Sequence, residues 1–240
     1  DWYAGNPSYT VTPMEGILKE FPESEILYAS GVDEIRIKVQ DLYLAIDAEG
    51  NAYLDEIEKA EIFEHMDWGE NRHTLRAKSN QRYVAADVTK GKITVTRNQV
   101  FSWFVEEAFA FEKDEVQESI VWKIWDQSYV SVDNKGQIVF SDMPARVELL
   151  LQEKGSNSAA KIAAKAQKVI AILGGHPIVS CKEGVDRVSI ELPPVQRKLL
   201  QEIVAVNSQV ILVLISNYPY ALRWEQEHIG AILTTASGSQ

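Results

Sequence analysis

One short pattern recurs three times in the middle of this 240-residue chain. It reads tyrosine, aliphatic residue, small residue, apolar residue and aspartate, and its copies begin about 40 to 46 residues apart. The three copies are Tyr43–Asp47, Tyr83–Asp87 and Tyr129–Asp133. Self-similarity at a fixed period indicates an array of similar structural units, so this repeat constrains the fold more than any other feature.

Each repeat predicts a unit of about four short strands. A glycine turn follows every copy, at Gly50, Gly91 and Gly136, and leads into a second strand, AYL, ITVT or IVF. A third apolar segment comes next, EIFEH, WFVEE or VELLL, and a fourth strand, HTLRA or IVWKIW, leads into the following copy. A unit this small cannot bury its apolar face alone. Three units that close around a common axis predict an all-β trefoil over residues 31–154.

The strand pairs resemble those of fascin-like trefoils. Units of that family carry Leu-Arg, then Gly or Asn, then Tyr-Val, and the segment His73–Val84, HTLRAKSNQRYV, follows this order. The resemblance covers about Val32–Lys154 and implies a fascin-like β-trefoil, whereas the Gln-x-Trp motif of ricin-type lectin trefoils is absent. The repeated tyrosines are predicted to fill the trefoil core.

Four tryptophans within the repeats lie mostly in apolar strand patterns, which favours burial in the core. The alternative is that they are exposed platforms on which a sugar ring stacks, since an aromatic face suits the C–H face of a pyranose. They are Trp68, Trp103, Trp122 and Trp125.

The 30 residues before the repeats are too few to bury a core. They predict a short helix, MEGILKEF, with Thr12 as N-cap and Pro13 at its first position, and then a strand-like segment, ILYASG. This segment needs a partner from elsewhere in the chain. The chain also starts without Met and stops directly after an apolar run, so we expect it to be a piece of a longer protein.

From residue 155 onward, continuous aliphatic runs alternate with helical patterns. The runs KVIAIL, VILVLIS and GAILTTA predict strands buried on both faces, and the helices between them predict right-handed crossovers and a parallel sheet. Helices are expected behind an N-cap at Ser158, from Pro194 to Val206, and near Leu222–Glu227. We therefore predict one discontinuous α/β parallel-sheet domain, residues 1–30 and 155–240, truncated at its C-terminal end and interrupted by the trefoil.

The loop from Gly174 to Gln196 concentrates chemically active side chains. It leaves the run KVIAIL and enters a helix that begins at Pro193-Pro194. Ligands in open α/β sheets bind beyond the carboxyl ends of the strands, so this loop is the predicted site. Its candidate residues are His176, Cys181, Lys182, Glu183, Asp186 and Arg187.

Four stretches, in order, resemble the C-terminal α/β-sandwich domain of glycoside hydrolase family 3, the family of β-glucosidases and β-xylosidases. They are DWYAGNPSYTVTPMEGI, GGHPIVSCKEGVDRVSIELPPVQRKLL, VILVLISNYPYALRW and AILTTASGSQ. The second carries a Gly-x-x-Pro, Glu-x-x-Asp-Arg and Leu-Pro-x-x-Gln series typical of the family. The resemblance covers about residues 1–30 and 156–240, and Cys181 and Gly184 are not the family's commonest residues at their positions.

The resemblance implies the catalytic roles. Many members supply the general acid/base glutamate from this loop, and by motif position that residue is Glu183. Retaining hydrolysis needs a second carboxylate as nucleophile, which the family takes from a separate N-terminal barrel. No Ser-Asp-Trp segment typical of that nucleophile is present, so the fragment alone is expected to be inactive. Without the resemblance, Glu183 would be interpreted as a solvated loop carboxylate or a partner of Lys182 or Arg187.

The other loop residues have supporting roles in this interpretation. Asp186 and Arg187 are predicted to order the loop as a charged pair. His176 and Lys182 are candidates for contacts with sugar hydroxyls, and for His176 a hydrogen bond within the loop is the equal alternative. Cys181 lacks a recognisable His and Asn arrangement, so a thiol nucleophile is not expected.

The net charge and the counts of cysteine and histidine argue against several classes of partner and ligand. A net charge of −11 disfavours nucleic acid and anionic membrane as partners. The single cysteine excludes an internal disulfide, and no apolar run is long enough for a membrane span, so we expect a cytoplasmic location. The four histidines show no metal spacing, and Gly174-Gly175 lacks the G-x-G-x-x-G spacing, so we expect neither metal nor cofactor.

Two functions remain open at this stage. The first is a part of an exo-acting β-glycosidase that acts on an oligosaccharide or an aryl or alkyl glycoside, with the missing barrel of the same polypeptide as its partner. The alternative is a non-catalytic carbohydrate-binding or scaffold module in which the trefoil binds the ligand.

Overall fold

A computed structural model describes residues 9–114, 119–182 and 184–235. The strands are β1 (Asp33–Val39), β2 (Leu42–Ile46), β3 (Ala52–Asp55), β4 (Phe63–Asp67), β5 (His73–Ala77), β6 (Tyr83–Asp87), β7 (Lys92–Arg97), β8 (Ala110–Asp114), β9 (Ser119–Lys123), β10 (Tyr129–Val132), β11 (Ile138–Ser141), β12 (Val147–Glu153), β13 (Val169–Gly174), β14 (Val210–Ile215) and β15 (Ala231–Thr235). The helices are α1 (Pro13–Glu20), α2 (Gly155–Ala163), α3 (Pro194–Val206) and α4 (Arg223–His228), with a 3₁₀ turn at Ile57–Lys59.

Strands β1 to β12 belong to one large antiparallel sheet. The repeated pattern falls on β2, β6 and β10, and each of these strands pairs with the strand that follows it, β3, β7 or β11. Short strands on a hydrophobic face are stable only when several combine. They do so here around a single apolar cluster, which draws side chains from every one of the three repeats.

The repeated tyrosines do not fill this core, contrary to the prediction. The aliphatic residue that follows each tyrosine is fully buried: these are Leu44, Val84 and Val130. Successive side chains on a strand point to opposite faces, so the tyrosines lie on the other face and are half-buried. Among the tryptophans, Trp122 is fully buried, whereas Trp103 remains 39% exposed.

The segment WFVEE is not a strand. Residues 103–107 form a loop, in which Val105 has a positive φ angle of 52°, and the preceding Ser102 has a φ of 91°. Strand backbone requires negative φ, so two such residues in close succession break the extended conformation. Pairing with the next strand resumes only at β8, which runs antiparallel to β9.

The second sheet is parallel and contains β13, β14 and β15. These strands and helix α3 coincide with the predicted apolar runs and with the Pro-started helix. Helices α2 and α3 pack with the sheet in a separate apolar cluster that includes Leu200, Ile203 and Leu212. Among the described residues, no helix combines the length and apolar character that crossing a bilayer requires.

The predicted N-cap and start of helix α1 are confirmed, whereas the predicted start of helix α2 is wrong. Thr12 caps α1 in a reciprocal capping box with Glu15. Helix α2 begins at Gly155 rather than behind Ser158, because the backbone N–H of Gly155 donates to the carboxylate of Asp33 at 2.9 Å. The segment Ile26–Gly31 forms no strand.

The large sheet begins and ends at one point of the chain. Strands β1 and β12 pair antiparallel along their length, so the chain enters and leaves this sheet side by side. There Gly155 packs on the backbone of Gly31 and Val32 so closely that a Cβ atom at residue 155 would lie 2.4 Å from their atoms. Only glycine permits this approach.

Candidate active-site loop

The loop between β13 and α3 is closed at its base by one side chain. The amide of Gln196, in the first turn of α3, donates to the carbonyl of Gly174 at 2.8 Å and accepts from its N–H at 3.2 Å. The end of β13 and the start of α3 are thereby joined, and the loop projects from the carboxyl edge of the parallel sheet.

On one side the loop is fastened to the segment that follows β14. The hydroxyl of Tyr218 lies 2.7 Å from the carbonyl oxygen of Pro177 and 3.1 Å from that of Cys181. Burial, and then the side chain of Cys181, raise the pKa of Tyr218 to about 12. Tyr218 therefore stays protonated at neutral pH, and its one O–H, shared between these two carbonyls, links two turns of the loop.

Arg187 orders the loop through aromatic rings rather than through Asp186. Its guanidinium lies 4.6 Å from the ring centre of Tyr220 and 5.3 Å from that of Tyr218, and it donates to the carbonyl of Pro219 at 2.8 Å. Asp186 is exposed, and the guanidinium of Arg187 contacts these rings and this carbonyl instead of its carboxylate. The predicted charged pair is thus replaced by stacking, since the aromatic residues after β14 occupy the face of the guanidinium.

On the other side the loop is fastened to the β4–β5 turn of the large sheet. Arg72 donates to the carbonyls of Ser180 and Asp186. The neighbouring carboxylate of Glu70 accepts from the N–H of Val188 at 2.8 Å and lies 3.4 Å from the Arg72 guanidinium. A guanidinium with several donors can satisfy two carbonyls and a carboxylate at once, so this turn clamps the loop.

Lys182 connects the loop to a second part of the large sheet. Its ammonium donates to the carbonyl of Trp103 at 2.6 Å and lies 5.2 Å from the centre of that indole ring. Burial lowers the pKa of Lys182. Lys182 and Val185 also exchange both backbone hydrogen bonds, and Gly184 has a φ of 77°.

His176 is half-buried against the indole of Trp68, with the ring centres 5.6 Å apart in an edge-to-face arrangement. Its backbone N–H donates to Ser180 Oγ at 3.0 Å, and its Nδ1 accepts from the N–H of Ile178 at 3.4 Å. Burial lowers the pKa of His176 to about 4. The imidazole is therefore neutral at neutral pH and retains one N–H donor at Nε2.

A cavity of about 420 Å³ lies between the β4–β5 turn and the start of α3. Its lining includes Trp68, Glu70, Arg187, Glu191, Arg197 and Tyr220. This size and this mixture of aromatic and charged groups are typical of small-ligand sites. Within the described ranges, no three His, Cys, Asp or Glu side chains converge as metal ligands, and the free thiol of Cys181 is buried.

The predicted acid/base residue, Glu183, lies outside the described residues. Its described neighbours, Lys182 and Gly184, belong to the clamped part of the loop. Sequence reasoning missed the groups that hold this loop in place, above all Arg72, Tyr218 and the carbonyl of Trp103. Arg72 and Ser180 are 108 positions apart, and no local signal links such residues.

With this geometry established, comparison with known proteins identifies the chain. The sequence profile of the glycosyl hydrolase family 3 C-terminal domain matches residues 1–240. The chain belongs to this family. A β-xylosidase from Formosa agariphila is 34% identical over 76 residues, which is 32% of this chain and 10% of that protein. The chain therefore spans only a small part of this relative.

Two solved glycosidases are distantly similar to this family 3 domain. One is a GlcNAcα1-4Gal-releasing endo-β-galactosidase from Clostridium perfringens, with a TM-score of 0.43 and 10% identity over 50% of this chain and 33% of that one. The other is a family 43 β1,3-galactosidase, with a TM-score of 0.40 and 10% identity over 53% of this chain and 29% of that one. Similarity at this level carries no conclusion about function.

Proposed function

We propose that this domain is part of a retaining, exo-acting β-glycosidase of the β-glucosidase or β-xylosidase type. The observation that carries the proposal is the family match over the whole chain, combined with a loop at the carboxyl edge of the parallel sheet that is fastened on both sides. The β-xylosidase relative adds weight to β-linked sugars as substrates. The oligosaccharide or the aryl or alkyl glycoside would bind between this domain and a barrel domain of the same polypeptide.

In this proposal Glu183 is the general acid/base. A retaining enzyme protonates the glycosidic oxygen with one carboxylic acid while a second carboxylate, roughly 5–5.5 Å away, attacks the anomeric carbon. The covalent intermediate then reacts with water, which Glu183 deprotonates. The second carboxylate would come from the barrel, so this domain supplies one half of the catalytic pair.

The residues around Glu183 support such a role. Lys182 and Val185, which flank position 183, exchange both backbone hydrogen bonds, and Lys182 donates to the carbonyl of Trp103, so the described neighbours of Glu183 are held in place. The ammonium of Lys182 and the neutral imidazole of His176 both present N–H donors, which suit sugar hydroxyls. We assign these two residues to substrate binding. Arg187 orders the loop through its contacts with the two tyrosine rings and the Pro219 carbonyl, and Asp186 takes part through its backbone carbonyl, which accepts from Arg72.

We also propose that residues 31–154 are an inserted fascin-like β-trefoil and that residues 1–30 and 155–240 form the interrupted α/β domain. Three features support this division: the pattern repeated on β2, β6 and β10, the side-by-side pairing of β1 and β12, and the separate apolar clusters of the two sheets.

The acid/base assignment is tested by Glu183→Gln in the intact protein. Removing a general acid should lower kcat/KM, which reports the first chemical step, by about 10²- to 10⁴-fold on phenyl β-xyloside or phenyl β-glucoside, whose leaving groups need protonation. The loss should be much smaller on the 2,4-dinitrophenyl glycosides, whose leaving group departs unprotonated. The exposed Glu227 on α4 provides a matched control, Glu227→Gln, which should leave both rates unchanged. Unchanged turnover of the phenyl glycosides by Glu183→Gln would contradict the assignment.

A further inference from the structure

Three aromatic side chains project from one short loop of the large sheet. Phe101, Trp103 and Phe104 are 49%, 39% and 58% exposed, although large aromatic residues are normally covered. They lie between Val100 and Val105, which are both buried. We call residues 100–105 the aromatic loop. Contiguous exposed apolar groups of this kind mark binding surfaces.

The aromatic loop is held in a defined conformation. Val105 adopts a φ of 52°, a strained value for a β-branched residue that persists only where the surroundings impose it. The surroundings here are a small apolar cluster in which Val100 and Val105 pack with Val179, a residue of the candidate active-site loop. The ring of Phe104 also rests against the indole of Trp125 at 5.0 Å between centres. The exposed rings are thus presented on a fixed support.

The aromatic loop adjoins the candidate active-site loop directly. Lys182 binds the carbonyl of Trp103 and covers one face of its indole ring. A second cavity, of about 220 Å³, opens between the two loops and is lined by Phe101, His176, Pro177 and their neighbours. The aromatic loop is therefore continuous with the residues that we assign to the substrate.

We propose that Phe101, Trp103 and Phe104 form a platform for the leaving-group sugars of an oligosaccharide substrate. This inference rests on the proposed function. The general acid protonates the leaving oxygen, so groups beside the acid loop face the leaving-group side of the scissile bond. Aromatic faces stack on the C–H faces of pyranoses, and the ammonium of Lys182 and the N–H of His176 supply donors for their hydroxyls. The inserted sheet thereby selects chain length, whereas the acid loop performs the proton transfer.

The test compares an oligosaccharide with a substrate too small to reach the platform. Xylotetraose and cellotetraose are compared with β-xylosyl and β-glucosyl fluoride in the intact protein and in its Phe101→Ala/Phe104→Ala and Trp103→Ala variants. The ratio of kcat/KM for the tetrasaccharide to that for the fluoride should fall about 2- to 10-fold in Trp103→Ala, which loses one stack, and about 5-fold or more in the double variant, which loses two, mainly through KM. Met143→Ala, which removes an exposed apolar side chain outside the aromatic loop, should leave the ratio unchanged.

Each other outcome has a defined meaning. An unchanged ratio overturns the platform. An equal loss of kcat/KM on both substrates, accompanied by a lower melting temperature, also overturns it, because it would indicate that the rings pack against another domain. Calorimetric titration of the same variants with both tetrasaccharides separates this inference from the proposed function. If the wild type hydrolyses neither substrate but its tetrasaccharide binding depends on the aromatic residues, only the proposed function fails. If there is neither turnover nor binding that depends on these residues, both fail.

Discussion

At the scale of single residues, the most informative polar pair is a pair of histidines in the large sheet. His65 on β4 and His73 on β5 face each other, with His65 Nε2 2.9 Å from His73 Nδ1, and His73 Nε2 lies 3.0 Å from Asn71 Oδ1. The amide oxygen accepts, so His73 donates to Asn71 and accepts from His65. In this arrangement His73 is neutral, and a proton added at its Nδ1 would face the Nε2–H of His65 unless His65 carried that hydrogen on its own Nδ1 instead.

The pair makes stability depend on pH. Burial, and then the proximity of His65, lower the pKa of His73 to about 4, although Asp67 at 4.0 Å opposes the shift. The unfolded chain takes up this proton near pH 6.5 and the folded chain does not, so stability falls as the pH drops from about 6.5 toward 4. Between pH 7.5 and 5, His73 alone should account for a loss of about 2 kcal/mol in the free energy of unfolding.

Urea unfolding at the two pH values measures this loss. His73→Gln should reduce the difference between pH 7.5 and pH 5, whatever it does to stability at pH 7.5. Gln226→Ser, at an exposed residue of α4 that does not titrate, should leave the difference as in the wild type. An equal pH difference in wild type and His73→Gln would show that His73 is already protonated in the folded protein or does not contribute.

At the scale of elements, the chain passes very close to itself where Gly155, just after the last strand of the large sheet, packs on residues 31–32, just before its first strand. We call this backbone contact the crossing. A methyl group at residue 155 would meet backbone atoms at 2.4 Å, and backbone cannot move aside as a flexible side chain can. Gly155→Ala should therefore destabilise the protein by about 1–3 kcal/mol through overpacking.

Gly16 provides the matched control for this substitution. It lies in the exposed helix α1, where a Cβ atom would have no neighbour within 4 Å, so Gly16→Ala should stabilise the protein or leave its stability unchanged. Denaturant midpoints of both variants give the comparison. Equal midpoints for Gly155→Ala and the wild type would mean that the backbone at the crossing can move apart without cost.

The same elements show what sequence can and cannot predict. Strands β13 to β15 and helix α3 are predictable because continuous aliphatic runs and the Pro193-Pro194 start are local signals. The start of α2 is not, since its first N–H is bound by Asp33, 122 positions away. The strand predicted at WFVEE is wrong for a related reason. The segment has the composition of a strand, but Val105 packs against the distant Val179 with a positive φ. The residue types of the candidate site are readable from the sequence, whereas the clamps by Arg72 and Tyr218 arise only in the folded chain.

At the scale of the whole molecule, the two sheets have separate cores, and among the described residues they share one small apolar cluster at the candidate active-site loop. Replacing residues 33–153 of the intact protein by a short glycine-serine linker should therefore leave the parallel-sheet domain folded. The candidate active-site loop would lose the bonds from Arg72, Glu70 and Trp103, and we expect trypsin to cleave after Arg187 about tenfold faster or more.

Limited proteolysis and thermal unfolding followed by circular dichroism test this expectation. The wild-type protein, in which Arg187 is stacked on two tyrosines, is the reference for the cleavage rate. Loss of the cooperative unfolding transition in the shortened protein would show that the parallel-sheet domain depends on the large sheet for its fold. An unchanged cleavage rate would show that the segment after β14 is sufficient to hold the loop.

The adjacent first and last strands of the large sheet also determine how it bears a mechanical load. Tension applied through residues 32 and 154 acts on neighbouring ends of β1 and β12, roughly along the hydrogen bonds that join them rather than along the strands. The hydrogen bonds between β1 and β12 would then break one after another, beginning at the strand ends next to the crossing. The large sheet would therefore peel open at low force, and the parallel sheet would not have to yield first.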